Sequence, residues 1–226
     1  FNDIIFDEYA LGATISSIIG CINSTKIFSF DNDNLIDSIL NKVAIDNYDV
    51  LIDTGALFRN FTSKDIVQKI MSKNKLKDHY IYINNFDEKI VINKDGTESI
   101  YNNFKITDKD FVFYDNQHIV GTDLKQSTNL KGMATINYFN NYTKFSQGIF
   151  RLRKLNKGHH IHFCMSKEIK NIISNEEINS IDILTFLLEN EIKTLDSDYI
   201  IMLEQHLFNM IRKNENKESF IINNFY

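Results

Sequence analysis

From Lys26 to Ser166 short apolar runs alternate with helical or turn-rich stretches, without a repeat of fixed period, and that alternation narrows the fold more than any other feature. The apolar runs, five to eight residues long, are KIFSF (26–30), YDVLIDTG (48–55), HYIYINN (79–85), DFVFYD (110–115), MATINYF (133–139) and HHIHFCMS (159–166). Runs this short and this continuously apolar suit strands covered on both faces, as in a parallel sheet. Between them, DNLIDSILNKVAI (33–45) predicts an Asp-capped helix, 63–73 a second and 143–155 a third. Asp95-Gly96 between alternating segments predicts a hairpin over 88–102. The expected class is α/β, a mainly parallel sheet flanked by helices.

The ends differ from this middle. Residues 2–20 place Ile4, Ile5, Tyr9, Leu11, Ile15 and Ile19 near helical spacing, which predicts an N-terminal helix over 1–21. Beyond Lys167 only helical periodicity remains, so 167–226 is expected to be a helical extension of a lobe over 22–166. The first residue, Phe1 rather than Met, is what a segment of a longer protein would show. No apolar run reaches the roughly 18 residues of a membrane span. A net charge of −5 gives no nucleic-acid footprint. Two cysteines, Cys21 and Cys164, make no framework and suit a reduced intracellular setting.

Arginine is scarce. The chain has four, Arg59, Arg151, Arg153 and Arg212, and two of them sit two apart in FSQGIFRLRKLNKGHH (145–160). Lysine would serve a solvated face equally well, whereas a planar fork grips phosphate. GTDLK (121–125) precedes this segment by one strand. In an open α/β sheet ligands bind outside the carboxyl ends of the strands, so both segments are expected to open at that edge.

GTDLK and FSQGIFRLRKLNKGH together resemble motifs V and VI in the second RecA-like lobe of superfamily 2 helicases, with the flavour of SecA-type protein-translocating ATPases. VLIDTGALFRNFTSKDIVQKIM resembles the strand and helix that open that lobe, so the likeness covers roughly residues 48–166. The chain also resembles one segment of a family of very large eukaryotic proteins that carry a SecA-like nucleotide motif earlier in the chain, some grouped with ubiquitin hydrolases. The resemblance implies a RecA-like fold. It also implies that Gly121, Thr122 and Asp123 sense bound nucleotide, and that Gln147 and Arg151 reach the γ-phosphate. Arg153 lies one residue out of register with the last motif arginine, which falls on Lys154. Gly148 and Phe150 replace the motif's first Arg and first Gly.

The eight glycines include no G-x-x-x-x-G-K-[ST]. The expectation is therefore a lobe that completes an ATP site without building one. ATP and Mg2+ would come mainly with an N-terminal RecA-like lobe of the same polypeptide, and the moved substrate would be polypeptide or nucleic acid. A degenerate lobe used as an interaction scaffold is the alternative. Two other readings remain: a cysteine hydrolase using Cys21 or Cys164, and a metal held by His160, His162 and Cys164 on one strand face, opposite His159. Three ligands from one strand rarely enclose a tetrahedral ion, so no metal site is expected.

Overall fold

The structure, a computed structural model, describes residues 25–174 and 176–224. The predicted helix over 2–20, with Cys21, lies outside the described residues.

Eight strands form one sheet in the order β1-β8-β7-β2-β6-β3-β4-β5. They are β1 (Ile27–Phe30), β2 (Val50–Ile52), β3 (His79–Ile83), β4 (Lys89–Asn93), β5 (Glu98–Ile100), β6 (Asp110–Tyr114), β7 (Lys131–Thr135) and β8 (His160–Ser166). All pairings are parallel except β3-β4 and β4-β5, the hairpin edge. The α/β expectation therefore holds, including the Asp95-Gly96 turn, where Gly96 has φ +88°.

Strand alternation divides the side chains into two cores. Leu51, Tyr80, Phe111, Phe113 and Met133 face α1 (Leu35–Ile45) and α2 (Ser63–Lys73). Val50, Ile52, Val112, Tyr114 and Ala134 face α3 (Tyr142–Ile149) and the first turns of α5 (Ser180–Asn224). A shorter α4 (Lys167–Ile173) follows β8. Each of these wholly buried large side chains contributes roughly 1.5–3 kcal/mol. Leu51→Ala would cost about 2–5 kcal/mol.

Three expectations are corrected. Helix 33–45 begins as a 3-10 turn at Asn32–Asn34, and no side-chain cap from Asp33 closes it. The third helix ends at Ile149 instead of Leu155. There Phe150 N–H still reaches Ser146 O, but Arg151 and Leu152 turn back to Gly148 O and Ile149 O. That tighter turn drives Leu152 into the core against Gly132, where a Cβ would stand 2.5 Å from Leu152 Cδ1. Finally, β7 starts at Lys131 and stops at Thr135, because the Asn137–Asn140 turn pulls the chain out of the sheet.

The connections β1-β2 and β2-β3 run through α1 and α2 on one face, and β7-β8 runs through α3 on the other. β2 and β7 are neighbours. The chain therefore leaves their carboxyl ends toward opposite faces, the topological switch point where α/β sheets open a crevice.

Candidate functional site

The crevice floor is a hydrogen-bonded knot. Asp53 is almost fully buried, and its carboxylate accepts from Leu57 N–H (2.9 Å), Phe58 N–H (3.0 Å) and the Thr135 hydroxyl (2.8 Å). Burial raises its pKa, while the bonds from Phe58 and Thr135 hold it down. The Thr54 hydroxyl donates to Thr135 O, and Gly55 N–H donates to Thr135 Oγ1 at 2.8 Å. Asn140 Nδ2 donates to Thr54 O (2.8 Å) and Asn137 Nδ2 to Gly55 O (3.1 Å). A side chain at Gly55 would press on Ile136 and Thr135, each 3.0 Å from a Cβ there. The DTG run thus joins the β2 and β7 loops.

Above this floor lie two adjoining cavities of about 340 and 660 Å³, and Arg59 and Asn116 line both. Lys144 and Gln147, from the first turns of α3, line the smaller one. Arg59, Lys144 and Gln147 are exposed, and their side chains make no hydrogen bond or ion pair with the described residues. The larger cavity is bordered by Asp65 and Asp115, both already engaged. Asp65 closes the α2 capping box with Thr62. Asp115 accepts from the Ser63 hydroxyl and lies 2.7 Å from His118 Nδ1.

The predicted phosphate residues divide between two places. Gln147 faces the crevice. Arg151 and Arg153 instead close on the 121–126 loop, over the sheet face that carries α3. Arg151 Nη1 donates to Thr122 O, and Arg153 Nε meets Asp123 Oδ1 at 3.0 Å. Gln126 ties the two segments together, donating to Arg151 O at 2.7 Å and accepting from Arg153 N–H at 3.2 Å. Gly121 has φ +85° with open space around it, so it serves the turn. Arg151 Nε–H is buried without an acceptor. Burial first, and then Arg153, pull the Arg151 pKa below its ordinary value. The expectation that both segments open at one edge is corrected: the pair forms a clamp, and only Gln147 shares the crevice.

The two departures from the motif have packing reasons. A Cβ at Gly148 would stand 2.2 Å from Thr54 Cγ2, so α3 lies too close to the β2 loop for any side chain there. Phe150 packs against the α3-side core.

Cys164 is a core residue. Its thiol is 3.6 Å from Ala134 O, and burial pushes its pKa well up, which suppresses the thiolate a nucleophile needs. His162 stands edge-on to Phe28 and Tyr48 and shares a hydrogen bond with the Tyr48 hydroxyl through Nδ1. His159 is bonded to Ser127 O (2.7 Å). Among the described residues, no group of three His, Cys, Asp or Glu is placed to hold a metal ion, and no helix is long and apolar enough to cross a membrane.

Sequence reasoning singled out neither Arg59 nor Lys144, and it did not see that Thr135 and Asn140 build the floor. Two apolar runs ending in polar residues, LIDTG and ATINYFNN, carry the only local signal. That they are neighbours depends on strand order. No family model, curated protein or solved structure matches the chain.

Proposed function

We propose that this chain is the second lobe of a two-lobe ATP-dependent motor of the helicase or translocase type, one that completes a nucleotide site built mainly elsewhere. The clamp carries this reading: the two segments that resemble motifs V and VI are bound to each other, and Arg151 holds a buried donor with no acceptor. An orphaned guanidinium N–H is a cost to the resting lobe. An anion that drew the side chain outward would remove it. ATP with Mg2+ supplies the transferable phosphoryl group when bound. Of this chain's residues, Arg151 fits the role of stabilising charge on that group, and the 121–123 turn would report the contact. Arg153 is already neutralised by Asp123. Asp123 is correspondingly less available to a cation.

The test is ATP turnover in the longer polypeptide that includes the preceding lobe. Arg151→Lys keeps the charge and loses the fork, so turnover should fall on the order of 10³-fold. Arg153→Lys should change it only a few-fold. An active parent indifferent to Arg151→Lys sinks the reading.

A second reading, a catalytically idle lobe used as a scaffold, draws on α5. Ile183, Phe186 and Leu187 pack into the body, while Ile181, Leu188, Ile192, Leu195, Tyr199 and Met202 form an exposed stripe at helical spacing. Absence of ATP turnover in every longer polypeptide favours this reading.

A further inference from the structure

In the smaller cavity of the crevice we propose a binding site for a small phosphate-bearing ligand with a flat ring, of the nucleoside monophosphate class. The cavity is about 340 Å³, within the usual range for small-molecule sites, and sits at the switch point of the sheet. Its wall carries two cations, Arg59 and Lys144, and no carboxylate. Neither cation has a partner among the described residues, so both donors remain available to an anion. Arg59 offers a planar fork and Lys144 a point charge, on opposite sides of the space between the β2 loop and α3. The Asn116 and Gln147 amides can orient polar edges. At the mouth, Phe139 is 74% exposed and stands on the turn beside Asn140. A large aromatic left in water at a charged cavity suits a stacking partner for a ring.

The neighbouring carboxylates favour a small ligand over a long one. Asp65 and Asp115 line the adjoining 660 Å³ cavity, so an anionic chain running on from the first cavity meets like charge. The net charge of −5 argues the same way. This site shares only Gln147 with the motif VI resemblance; Arg151, Arg153 and the 121–123 turn, which carry the motor reading, do not line the cavity.

The experiment is a ¹H–¹⁵N shift titration of the intact chain with AMP, adenosine and a short oligothymidylate. AMP should move the amides of Gly55, Arg59, Asn116, Lys144 and Gln147, and adenosine should not. Arg59→Gln and Lys144→Gln should each weaken AMP roughly tenfold, with the melting temperature unchanged because neither side chain supports the fold. Equal shifts from adenosine, no shifts from AMP, or AMP shifts confined to 121–126 and 151–153 would overturn the site. Tighter binding of the oligothymidylate would overturn the small-ligand assignment. Each result leaves the ATP turnover of Arg151→Lys to be judged separately.

Discussion

Arg151 and Arg59 are the same residue type in opposite employment. Arg151 is folded down over the sheet with its charge directed at a backbone carbonyl, beside Arg153 held by Asp123. Arg59 stands on the wall of a crevice with no acceptor among the described residues. Lys77 and Lys144 repeat the contrast. Lys77 is buried, with its ammonium on Asp49 and on Asp108 O, whereas Lys144 is exposed and has no partner among the described residues. The number of basic residues therefore says little about where an anion binds. What matters is whether the fold has already given each cation an acceptor. In the interior, and for Arg153 in the clamp, it has; Arg151 keeps one buried N–H without an acceptor, and in the crevice neither cation has a partner among the described residues.

The largest test of this contrast is in the interior. Asp49 Oδ1 receives Lys77, and Oδ2 receives Lys131 N–H at 2.7 Å. Burial already pushes the Asp49 pKa up, and Lys77 is the main force opposing it. Lys77→Ala strands a buried carboxylate and should cost about 3–5 kcal/mol in urea unfolding. Lys77→Met with Asp49→Leu removes both charges and should recover part of that loss, leaving the Lys131 N–H and Asp108 O without their present partners. A loss under 1 kcal/mol for Lys77→Ala would mean that water reaches the pair, and the division between engaged and available cations would blur.

These differences explain what the sequence could disclose. The strands at 27–30, 79–83 and 110–114 were legible because each is a continuous apolar run between turn residues, and one-dimensional pattern is enough to find them. The capping box at Thr62 and Asp65 confirms a helix start that spacing alone predicts at Ser63. The end of α3 was not legible: residues 150–155 keep helical spacing, and the demand that Leu152 reach Gly132 comes from strand β7 across the core. Nor was the use of each cation. Arg153 meets Asp123 thirty residues away and Lys77 meets Asp49 twenty-eight away. Only the three-dimensional pairing separates them from Arg59. The same is true of Gly148, which looks like a lost motif arginine until Thr54 is seen against it.

A middle-sized effect concerns His162, a basic group the interior keeps neutral. Burial first, then Lys131 and Lys26, lower its pKa from 6.5 to about 4. The unfolded chain takes up a proton below pH 6.5 that the folded imidazole refuses, so stability is complete above that pH. It falls as pH drops toward 4, by up to about 2 kcal/mol after allowance for partial exposure. Urea midpoints at pH 7 and pH 4.5 should therefore separate more in the wild type than in His162→Gln, which cannot titrate. Equal separation would show that His162 is solvated like the crevice cations, which is the break the comparison invites.

The smallest effect sharpens the clamp itself. Arg153 and Asp123 are both largely exposed, and an exposed pair loses most of its attraction to solvent screening. Arg153→Ala should change stability by less than about 1 kcal/mol, and less still in high salt. Gln126 is different because it bonds to the backbone on both sides of Leu152, accepting from Arg153 N–H and donating to Arg151 O. Gln126→Ala removes both bonds at a half-buried position and should cost about 1–2 kcal/mol. If instead Arg153→Ala proves the costlier change, the ion pair is what closes the clamp. Arg153 would then be a structural strut, and the 121–126 loop could open only by breaking a charge pair. If Gln126→Ala is costlier, the loop is pinned through backbone while both guanidinium side chains stay free to move. An incoming anion at Arg151 requires that second arrangement.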